Sequence, residues 1–430
     1  MSETTDKRAR GFLAPYRALD LTDHRGLLAG RMLSQLGMDV IQVEPPGGSP
    51  ARRVGPFAED APPGANSLYW SAYAAGKRGI TCNLDVPQGR ALFLRLVQGA
   101  DFVLDSADVG VVQRHGVDHR NLSVVNPRII TVSMTPFGET GPKAGYADTD
   151  LVVWAAAGAL CPARDNRGVP RRISVPQAYL HGASDAAAGA LLALFARHRT
   201  GRGQHVDVSA QASAALTTLS TTLAAAVGHA NYQFPSQVQT KRTSLDLSGS
   251  GSRTRRSKWP VRDGVLELHL GMGPASGGST NKLFAWMRAE GALPEQFVDW
   301  DWVKLPARVL SDEISDEQLE AARFAVGSFL ARFTKEELGR VALEKGILMA
   351  PAMTVEDLVK SEHLKTRGFF ETVREQGRPR TMPGRFAAGC NEAFVPLRPA
   401  PALGEHNCEI YGALGLAGEE LDALRSQEIL

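Results

Sequence analysis

The sequence is poor in cysteine, with four in 430 residues. Cys82, Cys161, Cys390 and Cys408 lie far apart, with no CxxC pair and no histidine at metal-ligand spacing, which argues against a zinc ribbon or a disulfide framework. No metal site is expected. Net charge is only +2, so no global field points to nucleic acid or an anionic membrane, and any basic site must be local. No apolar run reaches about 18 residues, which excludes an obvious membrane span. The opening segment MSETTDKRARGF is charged and lacks an apolar core, which predicts no secretory signal and a cytoplasmic location.

What is present reads as alternating strands and helices. Tyr16 to Leu21 and Val40 to Glu44 read as strands, and Gly26 to Leu36 between them reads as a helix stopped by Gly37. That spacing is a βαβ unit, whose right-handed crossover makes the two strands parallel neighbours in one sheet. The pattern repeats with a strand from Gly79 to Leu84, a helix from Pro87 to Gly99, and strands at Asp101 to Leu104 and Ile129 to Ser133. A Rossmann-like α/β sheet is therefore predicted. No GxGxxG follows the first strand, so a dinucleotide site is not.

Between Asp185 and Phe195 the residues are small or apolar nearly all round, which predicts a helix packed on several sides. Arg197, His198 and Arg199 fall in its last turn and Gly201 supplies a left-handed cap. His205 to Ser209 then alternates like a half-buried strand. Residues 236–258 are polar, with six cations against Asp246, and read as a basic surface loop near a boundary. Gly264 to Leu270 reads as a strand leading into the glycine-rich stretch Gly271 to Ser279, and residues 281–345 read as mainly helical. Gly346 to Pro351 reads as the start of a return to the first domain. The expected division is 1–228 and 336–430 for the large domain and 229–335 for a smaller α+β insertion.

Eight segments, in order, resemble CoA-transferase family III, the group that also holds formyl-CoA and carnitine CoA-transferases and the α-methylacyl-CoA racemases. They are Leu19 to Thr22, Leu36 to Gly48, Gly76 to Gly79, Asn126 to Arg128, Phe137 to Pro142, Asp150 with Gly158, Thr200 to Gln204, and Leu403 to His406. The resemblance implies a large domain built from both chain ends, a small inserted domain and an interlocked dimer. It also implies coenzyme A or acyl-CoA as substrate, with no tightly bound cofactor, and a small carboxylic acid as second substrate. Arg52, Arg53, Lys77, Arg78 and Arg114 are then candidates for the CoA phosphates. Gly271, Gly273, Gly277 and Gly278 are candidates for backbone donors over the thioester.

Family transferases use an aspartate nucleophile, a group that attacks a thioester without first losing a proton. Counting back from Thr200 through Gly189, the family frame puts Tyr179 in that place. A phenol, with an ordinary pKa near 10, is a poor substitute. His181 and Asp185 are the nearby alternatives, His181 as general base or acid and Asp185 as carboxylate or as a helix N-terminal residue. Racemases of the group place a histidine directly before the aspartate matching Asp150, and here that position is Thr149, which disfavours their chemistry. Asp150 itself is expected to cap the helix it precedes. The segment Gln177 to His181 is similar to the branch lacking the aspartate, such as the non-catalytic subunit of benzylsuccinate CoA-transferase. The implied assembly is a homodimer, or a heterodimer with an aspartate-bearing paralogue. The alternatives are a non-catalytic CoA-binding or scaffolding subunit, and an acyl-CoA lyase, dehydratase or racemase using His181.

Overall fold

The computed structural model describes residues 11–59, 66–160, 175–228, 258–387, 394–416 and 418–430. The chain forms two compact units, one of Met1–Gln233 with His363–Leu430 and one of Phe234–Glu362. Cys161, Cys390 and the basic loop up to residue 257 lie outside the described residues. No described helix is long and apolar enough to cross a membrane.

The first unit is organised by six parallel strands: β1 (Arg17–Asp20), β2 (Asp39–Glu44), β3 (Arg78–Thr81), β4 (Phe102–Asp105), β5 (Ile130–Thr135) and β6 (His205–Ser209). Their order is β3-β2-β1-β4-β5-β6. The twofold side-chain period explains why both faces are buried. Ala18, Val40, Phe102, Leu104, Ile130 and Val132 enter one apolar cluster, while Leu19, Ile41, Val43 and Val103 enter another on the opposite face. The order turns between β1 and β4, so the carboxyl ends of those strands flank a topological switch point. Open α/β sheets bind ligands there.

In chain order the helices of this unit before the insertion are α1 (Leu27–Gln35), α2 (Leu68–Tyr73), α3 (Pro87–Gln98), α4 (Val111–His115), α5 (His119–Val125), α6 (Asp150–Ala156), α7 (Ala178–Thr200), α8 (Ala210–Ala215) and α9 (Leu219–Ala226). The long α7 packs on β5, β6 and α1 through Ala183, Ala186, Ala187, Ala190 and Ala193, all buried. Small residues are needed there. A Cβ on Gly189 would stand 2.8 Å from Val206 Cγ1 and one on Gly182 3.0 Å from Met134 Sδ. Gly201, at φ 71°, ends α7 with its N–H on the Arg197 carbonyl, as the sequence predicted. Arg197 itself turns inward to Asp101, at 2.8 Å.

The second unit holds an antiparallel sheet of β7 (Lys258–Val261), β8 (Gly264–Leu268) and β9 (Met349–Pro351). Its helices are α10 (Gly277–Ala289), α11 (Leu305–Leu310), α12 (Asp316–Leu330), α13 (Lys335–Lys345) and α14 (Val355–Lys360), around an aromatic core that includes Trp259, Trp286 and Phe329. This corrects the expected return to the large domain at 336. Met349–Pro351 pairs with β8, so Gly346 to Pro351 completes the small sheet, and the unit runs to Glu362.

The chain then passes through α15 (Glu362–Thr366), the hairpin β10 (Phe370–Glu375) and β11 (Arg378–Pro383), α16 (Asn407–Gly412) and α17 (Glu419–Ser426). The first unit is thus built from both chain ends. The Gly79 N–H donates to His406 Nδ1 at 3.1 Å, Asn407 bonds Thr81, and the fully buried Tyr411 donates to the Thr81 carbonyl. These contacts anchor the tail on edge strand β3.

Candidate functional site

At the switch point the loop after β1 is tied to the loop after β4. Ser106 Oγ accepts the Asp23 N–H and donates to Asp23 Oδ1, both at 2.9 Å. Asp23 in turn holds Arg25, through Nε at 3.1 Å and Nη2 at 3.0 Å. The Arg25 side chain is only 10% exposed. Its Nη1 reaches the exposed Asp108 at 2.8 Å and stands 3.7 Å from Asp148 Oδ1. Burial alone pulls the guanidinium pKa down, but the bonds to Asp23 and Asp108 outweigh it and leave it raised. Burial likewise raises Asp23, and Arg25 outweighs it to hold the carboxylate low. Arg25 is a permanent cation surrounded by three carboxylates.

The start of α7 meets this cluster. Asp150 does not cap α6. Thr149 does, accepting the Val152 N–H. The Asp150 carboxylate accepts the N–H groups of Gln177, at 2.9 and 3.0 Å, and of Tyr179, at 3.2 Å, and so satisfies orphan donors at the N-terminus of α7. Tyr179 is buried beside His24, ring edge to face at 6.1 Å, and its hydroxyl donates to Asp148 Oδ2. Burial first, and the Asp148 carboxylate second, push the phenol well above its ordinary value. Tyr179 is therefore a protonated donor at neutral pH, unsuited to nucleophilic attack. His24 is fixed through its carbonyl, which accepts from the Tyr69 hydroxyl at 2.6 Å, while its Nδ1 is buried with no hydrogen-bond partner among the described residues.

The other sequence-derived candidates fall elsewhere. His181 stacks on Trp154, ring planes 16° apart and centroids 6.0 Å apart. Asp185 is exposed in the interior of α7, which starts at Ala178, so it is not the helix N-terminal residue expected. Lys77 is fully buried, with Nζ 2.7 Å from Asp20 and 2.8 Å from Gln42. Arg78 opens β3 at the other edge of the sheet, bound to Asp39 and Glu409, beside a cavity of about 290 Å³. Both cations are tied into the fold, Lys77 through Asp20 at the carboxyl end of β1 and Arg78 through Asp39 and Glu409. Arg52 lies bidentate on Glu44, at 2.6 and 2.7 Å, with its guanidinium 3.9 Å above the Trp70 ring. Arg53 and Arg114 are exposed. In the second unit, a Cβ on Gly277 would stand 2.5 Å from the Trp302 carbonyl oxygen and one on Gly271 2.1 Å from Ser276 Oγ, and Gly273 has φ 81°. At Gly278 a Cβ would meet open space.

A second polar cluster escaped the sequence reading. On one face of β4, β5 and β6, Ser133 donates to the buried Asp105 at 2.6 Å, and His205 bridges Glu139 at 2.7 Å and Thr131 at 2.8 Å. With His119 these groups line a cavity of about 280 Å³. Burial pushes the Asp105 carboxyl up to about 6, Glu139 raises His205, and burial lowers His119. A signal was available: Thr131, Ser133 and Thr135 alternate with Ile130, Val132 and Met134, so one face of β5 had to be polar.

Comparison with known proteins agrees with this architecture. A family model described as CoA-transferase family III matches residues 13–407. The chain is 31% identical to the BbsE subunit of succinyl-CoA:(R)-benzylsuccinate CoA-transferase from Thauera aromatica, over 95% of this chain and 96% of that one. It is 26% identical to formyl-CoA:oxalate CoA-transferase of Streptomyces avermitilis, over 96% and 98%. Among solved structures, a CaiB/BaiF family protein from Brucella suis superposes with a TM-score of 0.75 at 24% identity, covering 94% of this chain and all of that one, a likeness of fold.

Proposed function

The chain belongs to CoA-transferase family III, and from that premise we propose that it serves CoA transfer between an acyl-CoA and a carboxylic acid as the aspartate-lacking chain of a heteromeric transferase. Its partner would be a related chain bearing an aspartate in the place of Tyr179. One observation supports this reading: Tyr179, which the family frame puts at the nucleophile position, is a buried phenol, held protonated and donating to Asp148. Such a group cannot form the mixed anhydride from which CoA exchange proceeds.

Other features support parts of the proposal. Arg53 and Arg114 are exposed and are assigned here to CoA phosphates, as Lys77 and Arg78 are not. CoA thioesters serve as substrate, with no tightly bound cofactor, in the cytoplasm. Gly278, where no close neighbour dictates glycine, is the better-supported donor over the thioester, because the Gly273 N–H already donates to the Trp302 carbonyl at 2.8 Å. Leu192 and Phe195 of α7 and Leu219 and Leu223 of α9 are each more than 60% exposed, as a surface buried in an intertwined dimer would be in one chain.

The test is to assay the purified chain alone, then with an aspartate-bearing paralogue from the same genome, for exchange between succinyl-CoA and a panel of acids, with hydroxylamine trapping. Exchange only in the mixed preparation, with the trapped group on the partner, is expected. A covalent acyl-enzyme on this chain alone refutes the reading.

A further inference from the structure

Tyr179 and Arg25 converge on the two oxygens of one carboxylate. The phenol donates to Asp148 Oδ2, and Arg25 Nη1 stands 3.7 Å from Oδ1. A hydroxyl donor and a guanidinium aimed at one carboxylate are what recognition of a carboxylic acid requires. The surrounding helices do not need that carboxylate. Thr149 caps α6 and Asp150 satisfies the start of α7, whereas Asp148 ends a loop whose residues 140–147 are nearly all exposed.

Two further observations point to a ligand. His24 Nδ1, on a half-exposed side chain whose ring lies edge-on to Tyr179, has no hydrogen-bond partner among the described residues and stands 3.8 Å from Asp23 Oδ1. The outward bond of Arg25 goes to Asp108, whose side chain is 75% exposed and easily turned away, while Asp23 keeps the guanidinium in place. Exchange of Asp148 for another carboxylate would leave the local charge unchanged, so the site already accommodates the charge it would receive.

We infer that Tyr179 and Arg25 form a carboxylate-binding pair for the acid substrate, and that the Asp148 carboxylate occupies the place that substrate takes. This rests on the reading that a carboxylic acid is a substrate of the assembled enzyme. It turns the residue at the nucleophile position into a binding group: a phenol that stays protonated donates to an acid across the working pH range.

Succinate is the probe, with its neutral diamide as control, titrated calorimetrically into the purified full chain. Asp148→Asn removes the competing charge and is expected to tighten succinate binding about tenfold. Adding Tyr179→Phe to that variant removes one hydrogen bond to a charged group and is expected to weaken binding about tenfold, and Arg25→Gln by at least as much. Circular dichroism spectra and melting temperatures establish that each variant is folded. Equal binding of the diamide, indifference to Tyr179→Phe, or no succinate binding in either wild type or Asp148→Asn overturns the inference. CoA exchange in the mixed preparation is scored separately. Exchange that persists while these binding results fail sinks this inference alone, and the converse sinks the heteromeric reading alone.

Discussion

Lys77→Met isolates the buried pair that anchors β1. Both side chains have zero exposure, and Lys77 Nζ donates to Asp20 Oδ2 at 2.7 Å and to Gln42 at 2.8 Å. The other Asp20 oxygen keeps its bonds from the Thr22 N–H, at 2.9 Å, and hydroxyl, at 2.6 Å. Methionine restores much of the lysine stem, so the cavity contribution is small and the loss is that of a charge left unpaired. Removing one partner of a buried ion pair costs about 3–5 kcal/mol. There is little room for water to help, since a Cβ on Gly30 would stand 2.0 Å from Asp20 Oδ2 and 3.0 Å from Lys77 Nζ. Against a total of about 5–15 kcal/mol, such a loss brings a domain near its threshold. Urea unfolding followed by circular dichroism measures it, and Asp20→Asn/Lys77→Met is expected to recover at least half, because no bare charge is left behind. A cost below about 1 kcal/mol on the scale of surface pairs refutes the reasoning. So does a fully stable Lys77→Met chain that has lost CoA affinity, since that would return the lysine to the phosphate role its sequence position suggested.

The turn after α7 supplies a contrast. Gly201→Ala meets no neighbour within 4 Å but sits at φ 71°, so it should cost only the left-handed strain of about 1–2 kcal/mol. Gly203→Ala puts a Cβ 1.8 Å from the Ile129 carbonyl oxygen and should cost more than about 3 kcal/mol or prevent folding; equal melting temperatures for the two variants would count against the close approach. The Glu139–His205 pair should give a pH signature. Glu139 holds His205 above its ordinary 6.5, so the histidine's contribution is complete below that value and fades as pH rises through its raised one. His205 holds Glu139 below 4.5, so the glutamate's contribution is complete above that value and is lost on acidification through its lowered one. Thermal melts from about pH 5 to 8 should show His205→Asn flattening the wild-type decline at the upper end. An unchanged slope would remove the pair from the account.

The sheet was legible because its cause is local. Apolar runs at βαβ spacing, stopped by Gly37 and Gly99, place five strands to within a few residues, and the Gly201 cap needs nothing beyond its own turn. The start of α7 was not legible. The helix was predicted only from Asp185, and its first turns from Ala178 were not, because the groups that satisfy its first N–H donors belong to Asp150, on another element. For Lys77 and Arg78 the partners were not legible for a related reason: Asp20 and Gln42, and Asp39 and Glu409, belong to other elements. The switch-point site combines Asp23 and Arg25, Ser106 and Asp108, Asp148, and Tyr179 from four separate segments. Only the strand order brings them together.

The geometry also shows how the start of α7 is held, whichever side chain stands at 179. Asp148 and Asp150 flank the α6 cap Thr149, and between them they hold Tyr179 at both ends: Asp150 takes its backbone N–H, and Asp148 takes its hydroxyl. The backbone contact does not depend on which side chain stands at 179, so the position at which α7 presents that residue is set by Asp150 and by the close packing of Gly182 and Gly189 on the sheet. The contact at the tip does depend on it, because only a side chain as long as tyrosine reaches Asp148 from that start. An aspartate at 179 would keep the frame and forfeit the tip. On the proposed reading, in which Tyr179 stands where the family's nucleophile does, frame and nucleophile chemistry are separable in this fold, and Tyr179 supplies a hydrogen-bond donor beside Arg25.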